Sequence, residues 1–154
     1  MELILVSKSE IETRKIASLL AKKLLPRDVV TLTGDLGAGK TTFVKGIAKE
    51  FGVAEDVISP TFNILKCYFS SEPNLFHIDA YRLENIHQDL GLEEFIDGEG
   101  VCVIEWPMYI SSLIPENHLE VRIENLGGDM RKLTFISNSS HFDSGLIFLK
   151  GECR

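Results

Sequence analysis

A glycine-rich motif between an apolar run and a helical pattern constrains this chain more than any other feature. Residues 34–41 read Gly-Asp-Leu-Gly-Ala-Gly-Lys-Thr and match G-x-x-x-x-G-K-[ST]. The β-branched run at residues 29–33 predicts a buried strand before the motif. Apolar residues at positions 43, 44, 47 and 51 predict a helix after it. A strand, a glycine loop and a helix in this order are the context in which the motif becomes a P-loop.

The residue types of the motif suit the binding of a nucleoside triphosphate. Glycines let successive backbone N–H groups turn toward phosphate oxygens, and the following helix directs its positive end at the same phosphates. Lys40 is expected to reach the β- and γ-phosphates as a point charge. The Thr41 hydroxyl is a hard oxygen ligand suited to Mg²⁺.

Length and composition bound the class of protein. A chain of 154 residues predicts one domain over residues 1–154, and 44% hydrophobic residues are ordinary for a globular protein. The net charge of −7 argues against a protein that binds nucleic acid by itself, because such binding requires a basic face. No apolar run approaches the ~20 residues of a membrane span, and the N-terminus lacks the basic region of a signal peptide. Three widely spaced cysteines without zinc spacing favour a reducing cytoplasm.

Periodicity along the chain predicts an α/β fold. The predicted strands are residues 3–7, 29–33, 62–69, 75–79, 101–104, 119–123 and 133–136, and the predicted helices are residues 9–25, 43–51 and 89–95. The two strands within residues 62–79 are expected to form a hairpin. The fold class is therefore a P-loop NTPase-like, mixed but mostly parallel sheet flanked by helices. The tail from about residue 138 is weakly patterned and is expected to be an edge element or partly disordered.

Two carboxylates close predicted strands and are candidates for the acid that a P-loop requires. Glu105 follows the apolar residues 101–104, and Asp79 follows residues 75–78. Either carboxylate would hold Mg²⁺ directly or through water, and the uninterrupted apolar run favours Glu105. Glu105 would equally serve to polarise the attacking water. The alternative for each residue is a solvated carboxylate at a strand end.

Thr61 and Trp106 are two further candidates. Thr61 follows Ser-Pro and resembles a switch threonine whose hydroxyl approaches the γ-phosphate or the metal, and the alternative is an ordinary turn residue. Trp106 is the only tryptophan and stands beside Glu105. It would cover the site, contact a partner, or serve as a packing residue.

Five sequence blocks occur in the order of a known family. They are residues 34–42 (GDLGAGKTT), 59–62 (SPTF), 77–83 (HIDAYRL), 91–94 (GLEE) and 104–107 (IEWP). This series resembles the TsaE family, also called YjeE, the small bacterial P-loop ATPases of tRNA threonylcarbamoyladenosine biosynthesis. The resemblance spans about residues 3–136, and the ordered set is much more specific than the glycine loop alone.

The resemblance implies an ATPase that uses ATP and Mg²⁺ and acts on a heterodimer of the proteins TsaD and TsaB. That pair attaches a threonylcarbamoyl group to adenosine 37 of tRNAs that read codons beginning with A. The family's ATPase does not make the transferred group, and its ATP hydrolysis permits multiple turnovers. The resemblance also implies that tRNA is reached only through the partners, with no contact to DNA or membrane.

The resemblance further implies a set of site residues by position. Thr61 and Trp106 belong to the mobile rim, Glu10 or Thr13 lies near the adenine, and Arg131 lies near the nucleotide. The expected nucleotide-binding residues are Glu10, Thr13, Gly34, Asp35, Leu36, Gly37, Ala38, Gly39, Lys40, Thr41, Thr42, Trp106 and Arg131. The expected catalytic residues are Lys40, Glu105, Asp79 and Thr61, and the expected metal ligands are Thr41, Glu105 and Asp79.

The chain departs from the family pattern after Pro107. Many members continue with Glu-Arg where this chain has Met108-Tyr109, which puts its partner affinity or specificity in question. A small-molecule P-loop kinase is the alternative function, and a nucleotide-dependent switch without hydrolysis is a third. Such kinases usually carry a lid that supplies arginine, and no cluster of arginines occurs in this sequence.

Overall fold

The computed structural model describes residues 1–69, 72–86 and 90–153. Within these ranges, seven strands form one sheet in the order β1-β7-β6-β2-β5-β4-β3. The strands are β1 (Glu2–Ser7), β2 (Val29–Thr33), β3 (Leu65–Tyr68), β4 (Asn74–Asp79), β5 (Gly100–Glu105), β6 (Leu119–Gly127) and β7 (Met130–Ile136). The α-helices are α1 (Glu10–Ala21), α2 (Lys40–Phe51), α3 (Glu93–Ile96) and α4 (Ser140–Glu152), and 3₁₀ segments cover Tyr81–Leu83 and Pro107–Leu113.

The centre of the sheet is parallel and its flanks are antiparallel. Strands β6, β2, β5 and β4 run side by side in one direction, whereas β7 and β3 run against their neighbours. This arrangement confirms the P-loop NTPase-like mixed sheet, and β3 with β4 confirms the predicted hairpin. In the register of β4 and β5, Asp79 lies opposite Glu105, and Glu105 also lies opposite Leu32 of β2. The two candidate acids therefore meet at the edge where the glycine loop leaves β2.

Two apolar layers cover the sheet and hold this edge in place. Helices α1, α2 and α4 pack on one face, where Leu20, Phe43 and Ile47 are fully buried. The helix α3 and both 3₁₀ segments pack on the other face around Ile78 and Ile104. Strand β4 contributes alternate residues to both layers, as expected for a strand covered on both faces. Among the described helices, none combines the length and the apolar composition needed to cross a bilayer.

The expectation of an edge element or partial disorder after residue 138 was wrong. The segment forms α4, which begins after Ser139, whose hydroxyl accepts a hydrogen bond from the N–H of Phe142 at 3.4 Å. Phe142, Leu146 and Leu149 form the buried face of this helix within the same core cluster as α1. Two glycines and a short apolar face weaken the local helical signal, and tertiary packing supplies the stability that propensity does not.

Several predicted boundaries also shifted. Helix α1 ends at Ala21 rather than near residue 25, and its predicted N-cap, Ser9, accepts a hydrogen bond from the N–H of Glu12 at 3.1 Å. Strand β3 begins at Leu65 rather than at residue 62, because Ile64 adopts a left-handed conformation with φ 67° that breaks the extended run. The predicted helix at residues 89–95 begins outside the described residues, and α3 occupies only Glu93–Ile96.

The close approach of α1 and α2 depends on Gly46. A Cβ at this position would meet the carbonyl oxygen of Arg14 and would lie 2.7 Å from the Cβ of Ala17. We therefore expect Gly46→Ala to lower the free energy of unfolding by about 1–3 kcal/mol, the usual cost of overpacking. Urea unfolding at neutral pH measures this loss.

Gly151 offers the matched control, because it also lies in a helix but a Cβ there would meet no described atom within 4 Å. The Gly151→Ala variant is expected to keep or raise the stability by up to about 1 kcal/mol, since alanine is the better helix former. Equal losses in both variants would contradict the packing argument for Gly46.

Candidate nucleotide site

A cavity of about 290 Å³ lies where the loop after β2 joins α2. This volume is close to the lower end of the roughly 300–1,000 Å³ typical of small-molecule sites. The residues that line it are Glu10, Thr13, Leu36, Gly37, Gly39, Lys40, Thr41, Thr42, Ser59, Thr61, Asp79, Glu105, Trp106, Asp129 and Arg131. Six separate segments of the chain therefore contribute to one cavity.

Most residues singled out in the sequence surround this cavity, and three do not. Gly34, Asp35 and Ala38 line an adjoining hollow beside β6 and β7 instead. Their backbones shape the loop: the carbonyl of Gly34 accepts a bond from Lys40, and the carbonyl of Asp35 accepts a bond from the N–H of Ala38 at 3.0 Å. The expectation that these three contact a nucleotide stays a prediction.

Sequence reasoning missed two lining residues, Ser59 and Asp129. Ser59 belongs to the Ser-Pro-Thr turn, where only Thr61 was singled out, and the Ser59 and Thr61 hydroxyls lie 2.7 Å apart. Asp129 belongs to the turn between β6 and β7, two residues before Arg131. The sequence could have indicated Asp129 through its closeness to Arg131, because a short turn brings both side chains to the same end of the hairpin.

The loop itself is shaped by left-handed glycines. Gly37 has φ 80° and Gly39 has φ 105°, a region that other residues adopt only with strain. Gly39 is also the residue before α2, and no described side chain caps the N terminus of this helix. The first N–H groups of α2 are therefore left for an external anion, as the motif predicts.

Lys40 is buried, with 6% of its surface exposed, and its amine has no direct anionic partner among the described residues. The Nζ donates to the carbonyl oxygen of Gly34 at 2.7 Å and lies 4.0 Å from the ring centroid of Trp106. Burial lowers the pKa of Lys40, while the negative charges of Glu105, Asp79 and Asp35 oppose this shift. The Lys40 amine thus contacts a carbonyl oxygen and an aromatic face, and both bind an ammonium group more weakly than a phosphate does.

This arrangement predicts that Lys40→Met stabilises the protein in the absence of nucleotide. The lowered pKa means that the folded state disfavours the charged amine, and methionine removes the charge while keeping the length of the side chain. We expect a gain of about 1 kcal/mol, or about 2–4 °C in the melting temperature, at neutral pH. Thermal unfolding without nucleotide measures it.

The gain should also depend on pH with a definite sign. It is fully present below the folded-state pKa of Lys40, where the amine is charged in both the folded and the unfolded chain. It should vanish as the pH rises from the folded-state value toward the ordinary 10.5, because the unpaired charge disappears. A Lys40→Met variant that is less stable than the parent at neutral pH contradicts this account.

The two candidate acids have different surroundings although both are 3% exposed. Asp79 accepts bonds on both oxygens: Oδ2 accepts from the hydroxyls of Thr61 at 2.7 Å and Ser59 at 3.4 Å, and Oδ1 accepts from the N–H of Tyr81 at 3.0 Å. Glu105 accepts a bond on Oε2 from the Nε2 of His77 at 2.5 Å. No described residue donates to its Oε1. Asp79 therefore accepts bonds from three neighbours, whereas Glu105 keeps one oxygen for a further partner.

The donor set is chemically suited to Mg²⁺. Thr41, Asp79 and Glu105 offer only hard oxygen ligands, and Mg²⁺ is usually held by one or two carboxylates together with phosphate and water. Over the described part of the chain, no group of three or more His, Cys, Asp or Glu side chains forms a metal site. The described residues of the cavity therefore offer too few protein ligands to hold a metal ion by themselves. The residues present fit a metal ion that is also bound by the phosphates of a nucleotide.

Trp106 and Arg131 enclose the cavity from two sides. Trp106 is left-handed, with φ 58°, and stacks on Tyr109 at 6.2 Å and an interplanar angle of 7°. Arg131 donates from Nε to the carbonyl oxygen of Ala38 and from Nη1 to that of Gly128, both at 2.7 Å. Arg131 therefore fastens the glycine loop to the β6–β7 turn, in addition to lining the cavity.

The residues expected near an adenine lie at the start of α1. Thr13 is buried and its hydroxyl lies 2.6 Å from the hydroxyl of Ser7, at the end of β1. Glu10 is exposed at the first position of α1. Both residues line the cavity, and their contact with a base stays a prediction.

Comparison with known proteins places the chain in a family. The family profile described as "Threonylcarbamoyl adenosine biosynthesis protein TsaE" matches residues 7–133. The tRNA threonylcarbamoyladenosine biosynthesis protein TsaE of Bacillus subtilis (strain 168) is 45% identical over 132 residues, covering 86% of this chain and 84% of that protein. The protein of the same name from Rickettsia felis is 43% identical over 146 residues, covering 93% and 84%.

A solved structure agrees with these sequences. The crystal structure of YdiB from Bacillus subtilis superposes with a TM-score of 0.84 at 34% identity, covering 100% of this chain and 97% of that one. The profile spans the glycine loop, both candidate acids and Arg131, so the match includes the residues that line the cavity. The resemblance drawn from the sequence blocks is confirmed, and this chain belongs to the TsaE family of threonylcarbamoyl adenosine biosynthesis proteins.

Proposed function

We propose that this chain is an ATPase required to form N6-threonylcarbamoyladenosine at position 37 of tRNAs that read codons beginning with A. It acts on the TsaD–TsaB heterodimer rather than making the transferred group. One observation carries the proposal: the buried amine of Lys40 and the paired carboxylates of Asp79 and Glu105 share one cavity with the glycine loop. The names of the curated relatives support the pathway.

Lys40 and the loop supply the phosphate site. Phosphate oxygens are better acceptors for an ammonium group than a neutral carbonyl, so the Lys40 amine is expected to exchange Gly34 for the β- and γ-phosphates of ATP. The N–H groups at the start of α2 face the same phosphates in P-loop proteins. The charge that develops on the phosphates during cleavage is then stabilised by groups already in place.

Glu105 is the residue that we assign to the attacking water. Its Oε2 is held by His77 while its Oε1 accepts no bond from the described residues, so one oxygen is available to orient and polarise a water. Asp79 and Thr41 would hold Mg²⁺, and Thr61 would reach the γ-phosphate or the metal from its place beside Asp79. Bound Mg²⁺ supplies charge neutralisation at the phosphate oxygens.

The partners carry the part of the reaction that this chain is unsuited to perform. A net charge of −7 disfavours tRNA binding by this chain alone, which supports contact with tRNA through TsaD and TsaB. A cytoplasmic location is part of the proposal, since its three cysteines are free and a reducing compartment keeps them so.

A phosphate-release assay with Mg²⁺ and ATP, with and without the TsaD–TsaB pair, tests the proposal. We expect slow release by the chain alone and faster release with the pair, together with repeated rounds of tRNA modification. Release that needs a small-molecule acceptor would instead identify a kinase. Of the arginines in the described ranges, only Arg131 lines the cavity, whereas small-molecule kinases usually bring arginine to the phosphates from a lid. Nucleotide binding without release would identify a switch.

A further inference from the structure

His77 is a fully buried polar side chain that the proposed reaction does not yet use. Along β4, Phe76 and Ile78 join the apolar layer on one face, so His77 and Asp79 extend to the other face, the side of α2. His77 is 0% exposed, and its Nε2 lies 2.5 Å from Oε2 of Glu105 on the neighbouring strand. Burial of an imidazole against a carboxylate is costly unless the pair is well bonded, so this contact orders both side chains.

The hydrogen bonds of His77 define which ring nitrogen carries the proton. An ionised carboxylate only accepts, so Nε2 is the donor to Glu105. Nδ1 is buried and has no hydrogen-bond partner among the described residues. A proton on Nδ1 would therefore be left without an acceptor, whereas a bare Nδ1 leaves only an acceptor unpaired. The contact therefore requires a proton on Nε2, which gives Glu105 one directed bond.

The contact is the one hydrogen bond that orients the Glu105 carboxylate among the described residues. Glutamate has three rotatable bonds, and Glu105 receives no other hydrogen bond from the described residues on either oxygen. Lys40 is the neighbouring cation, and Glu105 is the largest source of electrostatic attraction acting on its amine. The bond from His77 holds Oε2 at the sheet and leaves Oε1 for the cavity.

We propose that His77 is a positioning residue for Glu105, which acts by fixing the carboxylate so that its second oxygen meets the attacking water. The inference rests on the proposed ATPase function and deepens it. It predicts that loss of the bond slows turnover but leaves ATP affinity intact, because His77 does not line the cavity. A misplaced catalytic group or a lost supporting contact typically costs about 10–100-fold in rate.

The test compares His77→Leu, which removes the donor, with His77→Gln, whose side-chain amide can donate from a similar position. Both are made in the full chain and assayed with the TsaD–TsaB pair. We expect kcat to fall about 10–100-fold in the leucine variant and to return to within about threefold of the parent in the glutamine variant. The Kd for ATP should stay within about twofold in both. Equal losses in the two variants overturn the proposal, because a packing defect would not be rescued by a donor.

A double-mutant cycle with Glu105→Gln gives the decisive readout. If His77 acts only through Glu105, then His77→Leu has no further effect on kcat once Glu105 is neutralised. Losses that multiply in the double variant overturn the proposal. So does a leucine variant that turns over as fast as the parent.

A spectroscopic measurement keeps the proposal testable without turnover. In ¹⁵N spectra of the histidine rings, the signals lost in His77→Gln identify His77 among the four histidines. They should show a slowly exchanging proton on Nε2 whose signal shifts in Glu105→Gln, and an Nε2 that carries no proton instead overturns the contact. A parent chain with the expected spectrum but no phosphate release with its partners overturns the proposed function and the positioning role together. If the parent chain and the His77→Leu variant release phosphate at the same rate, only the positioning role is overturned.

Discussion

Replacing Lys40 with alanine is expected to abolish tight ATP binding. The amine is the only cation buried in the cavity among the described residues, and alanine would leave the β- and γ-phosphates without it. Removal of one member of a buried charge pair costs about 2–5 kcal/mol, which corresponds to an affinity loss of roughly 30-fold to several thousand-fold. Isothermal titration calorimetry with Mg²⁺ and ATP measures this change directly.

Two controls separate this effect from misfolding and from general loss of positive charge. Lys45 lies on the same helix but is exposed, so Lys45→Ala should leave ATP affinity within about twofold. The Lys40→Met variant should bind as poorly as Lys40→Ala while melting above the parent protein, for the reason given above. A Lys40→Ala variant that retains the affinity of the parent would remove the glycine loop from ATP binding.

Replacing Glu105 with glutamine is expected to stop turnover and to preserve ATP binding. Glutamine keeps the size of the side chain but loses the charge that polarises the attacking water. The rate should fall about 10²–10³-fold, as when other preorganised electrostatic groups are lost. Binding should be kept or slightly improved, because a negative charge near the phosphates disappears. Single-turnover phosphate release and ATP titration separate the two effects.

Glu152 provides the matched control for this substitution. It is exposed in the last turn of α4, and Glu152→Gln should turn over like the parent. Turnover at the parental rate in Glu105→Gln would transfer the role to Asp79, whose two oxygens are already engaged by Thr61 and Tyr81. Loss of ATP binding in Glu105→Gln would instead indicate that Glu105 acts mainly through the bound metal.

The local patterns of the sequence predicted the elements that build the site. The glycine loop was recognised because left-handed glycines, a preceding apolar strand and a following amphipathic helix are determined within about twenty residues. The candidate acids were recognised because each closes a short predicted strand. The prediction for the tail after residue 138 was wrong because local patterns were the only guide. Its helix is stabilised by packing against distant residues of α1 rather than by its own sequence pattern.

Contacts between residues far apart in sequence could not be predicted from local patterns. Asp79 and Glu105 became neighbours only through the register of β4 with β5, and His77 reached Glu105 across the same pair of strands. Asp129 entered the cavity because the β6–β7 turn brings Arg131 onto the glycine loop. The contacts among His77, Asp79 and Glu105 leave no local pattern in the chain, because they join segments far apart in sequence.

The glycine loop, the α/β class and the family could be predicted from the chain alone, because they depend on backbone sterics, hydrophobic periodicity and ordered motifs. The contacts within the cavity became known from the folded molecule: the polar groups that line it, the bond from His77 to Oε2 of Glu105, and the bond from Lys40 to the carbonyl of Gly34. These contacts depend on strand order and register, which burial sets over the whole chain, and a shift of register by one residue would separate the two acids and the histidine.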